Sequence, residues 1–235
     1  MSKKKTEGYQ RKLRWLQDRF VEGMKIKMLD LKQGGRGFIE YTPGEYAWRA
    51  VNAKGYMFIH CIWVAGKSKG KGYGSLLLNE SIKDAKKAGM KGVAMVTSEG
   101  NWLVGKEFLK KHGFESVDQD PPFELMVKKF DEDAPSPSFS DDFEKKLKLH
   151  PKGLTIVRSD QCPYIDSAAN ATQKVAKEHG IKTQVVELKS AEDVRKLASS
   201  PYGVFQIVYN GELLNYHYMG KKDWDKALDT ANREL

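Results

Sequence analysis

A chain of 235 residues, 40% hydrophobic and 30% charged, lies in the globular range and is long enough for one large domain or two small ones. No apolar run reaches the roughly 18–20 residues of a membrane helix, the start MSKKKTEGYQRKL lacks a signal peptide's apolar segment, and Cys61 and Cys162 are too few and too far apart for a disulfide framework or a zinc site, so a cytoplasmic protein without a metal is expected. The net charge of +9 is unevenly spread: residues 1–130 hold 25 Lys and Arg against 14 Asp and Glu, and residues 131–235 hold 15 against 17, so an anionic partner is expected to meet the first part.

The first predicted element is an amphipathic helix in YQRKLRWLQDRFVEG, where Leu13, Leu16, Phe20 and Val21 recur at helical spacing. Three strands follow. MKIKML alternates, RGFIEYTPG ends in a Pro-Gly turn, and GYMFIHCIWVAG is long and nearly all apolar, as a central strand is. A helix is predicted from Ser75 to about Lys87, with Leu78, Ile82 and Ala85 on one face and Gly89 as its stop. KGVAMVTS reads as a strand, NWLVGKEFLKKHG as a helix and FELMVKKF as the last strand of a mixed sheet packed against helices, an α/β domain over residues 1–130.

Residues 131–152, DEDAPSPSFSDDFEKKLKLHPK in the main, are rich in Asp, Pro and Ser and read as a linker with one short helical turn. Residues 153–235 then run β-α-β-α-β-β-α, with a hairpin at Asn210-Gly211 and a closing helix KKDWDKALDTANREL. This is a second, smaller α/β domain.

The stretch VAGKSKGKGYGS, Val64 to Ser75, stands between the apolar strand and the helix that follows it. Its glycines let the backbone approach an anion closely, the first amides of the helix lack partners within it, and the lysines add charge, so phosphate binding competes with a plain solvated turn. The spacing excludes a Walker loop, since GxxxxGK[ST] is absent, and the dinucleotide fingerprint lacks its final glycine.

The arrangement resembles the GCN5-related N-acetyltransferase (GNAT) family over roughly residues 10–130. Val64 matches the strand-end valine, Lys69 stands at the Arg/Gln position of the acyl-CoA signature, Gly72 and Gly74 take its two small positions, and Gly113-Phe114 matches the end of a later motif. The resemblance implies acetyl-CoA as co-substrate, with Ile62, Trp63 and Val64 along pantetheine where the strand splays from its neighbour, and Lys69, Gly70, Lys71, Gly72, Tyr73, Gly74 and Ser75 around the pyrophosphate. Two departures stand out. Lys69 keeps charge but lacks the guanidinium fork, and Leu109 occupies the place of a tyrosine that protonates the leaving thiolate in many members. The strand that usually precedes the first helices is also not found.

Acetyl transfer requires a deprotonated amine, a polarised thioester carbonyl and a proton for the thiolate. Period two places Phe58, His60, Ile62 and Val64 on one face of the central strand, which makes His60 a candidate base, directly or through water, against the alternative of a buried, hydrogen-bonded histidine. Glu40, with Tyr41, Glu45, Tyr46 and Trp48, forms a polar-aromatic cluster that either lines an acceptor pocket or packs a hairpin, and Glu99 at the next strand's end is either a third candidate or a helix-capping group near Asn101. Cys61 reads as inert packing.

The second domain resembles the thioredoxin fold. SDQCPYIDSAANATQKVA follows a strand as the CPY corner of glutaredoxins does, Pro201 stands where that fold has a cis-proline, and Ile165 holds the second cysteine's place, so Cys162 is a lone thiol at a helix start. An acetyltransferase joined to such a domain is similar to the YoaP-type acetyltransferases. The expected function is acetyl transfer to an unidentified amine by direct attack in a ternary complex. The alternatives are a non-enzymatic protein that binds acyl-CoA or nucleic acid, or a monothiol redox module using Cys162. The lysine clusters KSKGKGYG and DAKKAGMKG contain one aromatic between them, which is poor for stacking bases.

Overall fold

A computed structural model describes residues 5–30, 36–99, 103–217, 219, 223, 224 and 227. Backbone contacts gather into two compact units, Arg19–Ser140 and a second made of Met1–Asp18 with Asp141–Leu235. The division departs from boundaries at 130 and 152, because the leading residues of the first helix, α1 (Glu7–Val21), group with the C-terminal half of the chain.

In the first unit the strands are β1 (Lys25–Met28), β2 (Arg36–Pro43), β3 (Val51–Asn52), β4 (Met57–Ala65), β5 (Gly92–Ser98), β6 (Glu115–Asp120), β7 (Phe123–Lys129) and β8 (Ser138–Phe139), with helices α2 (Tyr73–Lys87) and α3 (Lys106–Lys110). Six strands form one mixed sheet in the order β1-β2-β4-β5-β7-β6, while β3 and β8 pair separately. β4 and β5 are the parallel pair, joined through α2, and the other pairings in the sheet are antiparallel. Leu77, Leu78 and Ala85 of α2 close over Ile39, Met57, Ile59, Val93 and Met95, and Leu109 and Phe114 complete this core. β6 was not expected, because ESVDQD has neither an apolar run nor strict alternation; it is an edge strand with Glu115, Ser116 and Gln119 exposed and Asp118 accepting from the Phe139 N–H at 2.7 Å.

One polar network joins α2 to the other edge of the sheet. Lys27 reaches Glu80 at 2.8 Å and Asp84 at 3.1 Å, Lys25 reaches Asp84 at 3.1 Å, and the Tyr41 hydroxyl donates to Asp84 at 2.7 Å. Burial pushes the Asp84 carboxyl up, but the hydrogen bonds from Tyr41, Lys27 and Lys25 outweigh it and hold the group down at about 2. A carboxyl depressed in the folded state stabilises fully above its unfolded value near 3.8 and loses that contribution as pH falls towards 2. Asp84→Asn is therefore expected to lower stability by about 1–2 kcal/mol at pH 7. In urea unfolding the difference from wild type should shrink between pH 4 and pH 2; a constant difference would exclude this origin.

The second unit contains α4 (Phe143–Leu147), β9 (Leu154–Arg158), α5 (Ile165–Glu178), β10 (Thr183–Glu187), α6 (Ala191–Leu197), β11 (Phe205–Tyr209) and β12 (Glu212–Asn215). The sheet order is β10-β9-β11-β12, with β9 and β10 parallel and the remaining pairs antiparallel. Asn210 and Gly211 make the two-residue turn with φ of 49° and 87°, as the dipeptide predicts. Ser190 caps α6 in a reciprocal capping box with Asp193. The closing helix expected at residues 221–235 falls almost wholly outside the described residues. The expectation of a cis bond at Pro201 is corrected: the cis peptide bond among the described residues precedes Pro122.

Residues of α1 belong here by specific contacts. Arg11 pairs with Asp160 and with Glu187, each at 2.7 Å, and Asp160 also accepts from Arg158 at 3.0 Å. A Cβ at Gly8 would stand 2.2 Å from the Pro163 carbonyl oxygen, so only glycine fits there without moving the Cys-Pro-Tyr turn. Arg11→Ala is expected to destabilise this unit by about 1 kcal/mol, since both pairs are part-exposed. Thermal melting should show the loss, and Arg14→Ala, which removes only an exposed pair with Glu7, should change little.

Candidate functional site

The geometry of the site begins where β4 leaves β5. Their pairing runs through Met57↔Val93, Phe58↔Ala94 and Ile59↔Met95, whereas β4 continues to Ala65 and β5 to Ser98. Beyond Ile59 the two parallel strands diverge, and the β5-facing backbone edge of β4 is left without a strand partner. On its other side β4 remains paired with β2 as far as Ala65.

A bulge lies at the point of divergence. Tyr41 is opposite Ile59 and Glu40 is opposite Cys61, so His60 is an extra residue on β4 with no counterpart on β2. The bulge bends the strand and exchanges its faces. Strict period two fails at this residue, which corrects the placement of Ile62 and Val64 on the face of His60. Ile62 and Val64 pack instead on the core that holds Met57 and Ile59, and Trp63 meets Phe38 directly across the ladder, ring centroids 6.0 Å apart.

After β4 the chain makes a short turn and enters α2 at Tyr73. Gly66, Gly70 and Gly72 have φ of 63°, 73° and 77°, a left-handed conformation that glycine adopts without strain. Gly72 is the N-cap of α2 and no side chain caps this end. The amides of Tyr73, Gly74 and Ser75 thus occupy the positions whose N–H groups have no partner within a helix. Lys69 and Lys71 are exposed beside them, and a Cβ at Gly70 or Gly72 would meet nothing within 4 Å. Gly74 lies within 4 Å of the Phe108 ring of α3, by the position its Cβ would take.

Of the sequence-derived acid-base candidates, His60 and Glu40 are brought together as a buried pair, while Glu99 is exposed. His60 is 2% exposed, and its Nε2 accepts a hydrogen bond from the Trp48 backbone N–H at 2.8 Å. Its Nδ1 stands 3.5 Å from Glu40 Oε1, and Glu40 is equally buried. Tyr41 points the opposite way, to Asp84 and the α2 side, so the polar-aromatic cluster divides between two faces of the sheet. Trp48 is buried, with Arg19 over its ring at 5.1 Å, and Tyr46 is exposed. Glu99 is exposed just past the end of β5, while its suggested neighbour Asn101 lies outside the described residues. Leu109 is 0% exposed and belongs to the core.

One pair near this end of β5 has no signature in the sequence. Lys106, opening α3, binds Glu124 on β7 at 2.6 Å. That hydrogen bond raises the lysine and lowers the carboxylate from their ordinary values. The two residues lie on different elements, α3 and β7, so the pair forms only when these pack together. Cys162 precedes α5 by three residues, part-buried, and its carbonyl accepts from Ile165 N–H at 3.1 Å. No group of three or more His, Cys, Asp or Glu side chains among the described residues is arranged to hold a metal, and no described helix is long and apolar enough to cross a membrane.

Residues 6–114 match the family model described as acetyltransferase (GNAT) family. The chain is also 31% identical over 222 residues to the protein named "Uncharacterized N-acetyltransferase YoaP" of Bacillus subtilis (strain 168), covering 93% of this chain and 87% of that protein. The chain belongs to the GNAT acetyltransferase family. Among solved structures, this acetyltransferase is similar to the PaiA N-acetyltransferase of Thermoplasma acidophilum, in complex with coenzyme A (22% identity, TM-score 0.40, 49% of this chain and 69% of that one). It is also similar to the "putative streptothricin acetyltransferase" of Bacillus anthracis str. Ames, in complex with acetyl coenzyme A (22% identity, TM-score 0.38, 46% and 62%). The YoaP likeness extends through the C-terminal half of the acetyltransferase, which the family model leaves uncovered.

Proposed function

We propose that this acetyltransferase carries the acetyl group of acetyl-CoA to an amine by direct attack within a ternary complex. The observation that carries the reading is the junction of β4 and α2: a strand edge released from its neighbour after Ile59, followed by an uncapped helix start reached through left-handed glycines. Pantetheine amides pair with the free edge along Ile62, Trp63 and Val64. The pyrophosphate rests on the amides from Gly72 to Ser75, with Lys69, Gly70 and Lys71 supplying charge and close approach. The excess of basic over acidic residues before residue 130 favours a ligand of this charge.

In the transfer, the amine nitrogen forms a bond to the thioester carbonyl carbon, the C–S bond breaks, and the thiolate takes a proton. Of the three acid-base candidates, Glu99 is the exposed carboxylate beside the divergence and is assigned the base role; Glu40 and His60 are enclosed. Leu109 offers no proton, so the thiolate is protonated by solvent or by the departing ammonium proton. In the C-terminal unit the sheet order and the Cys-Pro-Tyr corner support the thioredoxin-like reading, with Cys162 as a lone thiol before α5.

Calorimetric titration with acetyl-CoA and a panel of amines followed by free CoA release test the proposal. Micromolar binding with release for at least one amine is expected. Binding without release for any amine would make the protein an acyl-CoA binder. Glu99→Gln should reduce kcat/KM by about a hundredfold with acetyl-CoA affinity unchanged; an unaltered rate would remove Glu99 from the mechanism.

A further inference from the structure

We infer that His60 is a positioning residue: its imidazole is held as a hydrogen-bond acceptor that fixes the β4 bulge, and the proton transfers of catalysis run elsewhere. A histidine at the rim of a cofactor cleft invites the role of base. Three observations direct it to another. His60 is the inserted residue of the bulge, immediately after the last β4–β5 rung. Its Nε2, the nitrogen whose lone pair a base would use, accepts from the Trp48 N–H at 2.8 Å. The ring is enclosed, with Phe58 at a centroid distance of 5.7 Å on one side and Glu40 Oε1 3.5 Å from Nδ1 on the other.

These contacts determine the tautomer. Accepting from an amide requires an unprotonated Nε2, so the proton of the neutral ring sits on Nδ1, towards the Glu40 carboxylate. If the ring took a proton from an amine at Nε2, it would eject the Trp48 amide from its hydrogen bond inside a buried site, which is unfavourable. Glu40 faces Nδ1 of the ring, and the Arg19 guanidinium lies over the Trp48 ring at 5.1 Å. The clasp joins β4 to the loop that carries Trp48 at the place where a bend in β4 opens the cleft. Loosening it lets the strand straighten and re-pair with β5, closing the edge offered to pantetheine. The kinetic consequence rests on the acetyltransferase reading, whereas the tautomer and the hydrogen bond do not.

The test compares His60→Gln, whose side-chain oxygen can accept the Trp48 N–H, with His60→Ala, which cannot. In the wild-type protein, nitrogen-15 spectra of the histidine rings should show His60 protonated at Nδ1 and bare at Nε2, and the Trp48 amide should exchange about a hundredfold or more slower than a free amide. His60→Gln should keep that protection, keep kcat/KM within about threefold of wild type and leave the pH-rate profile in place. His60→Ala should lose the protection and weaken acetyl-CoA binding about tenfold or more. A ring protonated at Nε2, or a His60→Gln protein that folds and binds acetyl-CoA but has lost its turnover and the basic limb of its pH profile, would overturn the inference. Absence of turnover in wild type would count against the proposed activity, and the spectra and exchange would still decide the role of His60.

Discussion

Gly72→Ala is expected to weaken acetyl-CoA binding by about tenfold or more, a loss of at least ~1.4 kcal/mol in affinity. Gly72 has φ of 77° at the N-cap of α2, and a side chain in that conformation is disfavoured by about 1–2 kcal/mol. The methyl group itself meets nothing in the folded chain. It projects into the open space before the uncapped amides, the same space the pyrophosphate is proposed to fill. Strain and blockage therefore act together on the bound state, while the free protein bears only the strain. Gly89→Ala is the matched control. Gly89 has φ of 65° with nothing within 4 Å of an added Cβ, so the strain is alike, but it lies past the far end of α2 and affinity should hold. Calorimetric titration of both variants decides the matter. Equal affinities for the two would mean that the phosphate groups lie away from this turn.

The second large effect concerns Leu109. Its position in the motif suggests a site for an acid, and its surroundings make it a core residue: 0% exposed, in the cluster with Leu77, Leu78, Phe114 and Met126. Leu109→Ala should destabilise the protein by about 2–5 kcal/mol, the range for opening a cavity at a site that collapses only in part. Denaturant unfolding measures the loss. At a temperature where the variant remains folded, turnover per folded molecule should match wild type, because the side chain touches no reacting atom. A folded variant with turnover reduced tenfold or more would show that the core beneath α3 shapes the site.

Much of the fold could be read from residue order because the relevant forces are local. GYMFIHCIWVAG is apolar on both faces because α2 covers Met57 and Ile59 on one, and Phe58 and His60 are buried with Trp48 on the other. The helix beginning near Ser75 and its stop at Gly89 were set by spacing and by a left-handed glycine. Asn210-Gly211 specified its hairpin for the same reason. β6 escaped notice because an edge strand needs no buried face and so carries no pattern. The acid-base candidates were less legible. His60 and Glu40 were each selected for their chemistry, but their side chains are committed by partners distant in sequence, one of them a backbone amide with no signature of its own.

The spacing of Val64, Lys69, Gly72 and Gly74, the basic excess before residue 130 and the α/β order of both halves follow from residue type and short-range geometry. The tertiary structure decided where β4 parts from β5, which face Ile62 and Val64 occupy after the bulge, and that the first turns of α1 group with the C-terminal half. A bulge adds one residue to a ladder and reverses every side chain after it. That reversal follows from the register of a partner strand, which the local alternation of β4 does not contain.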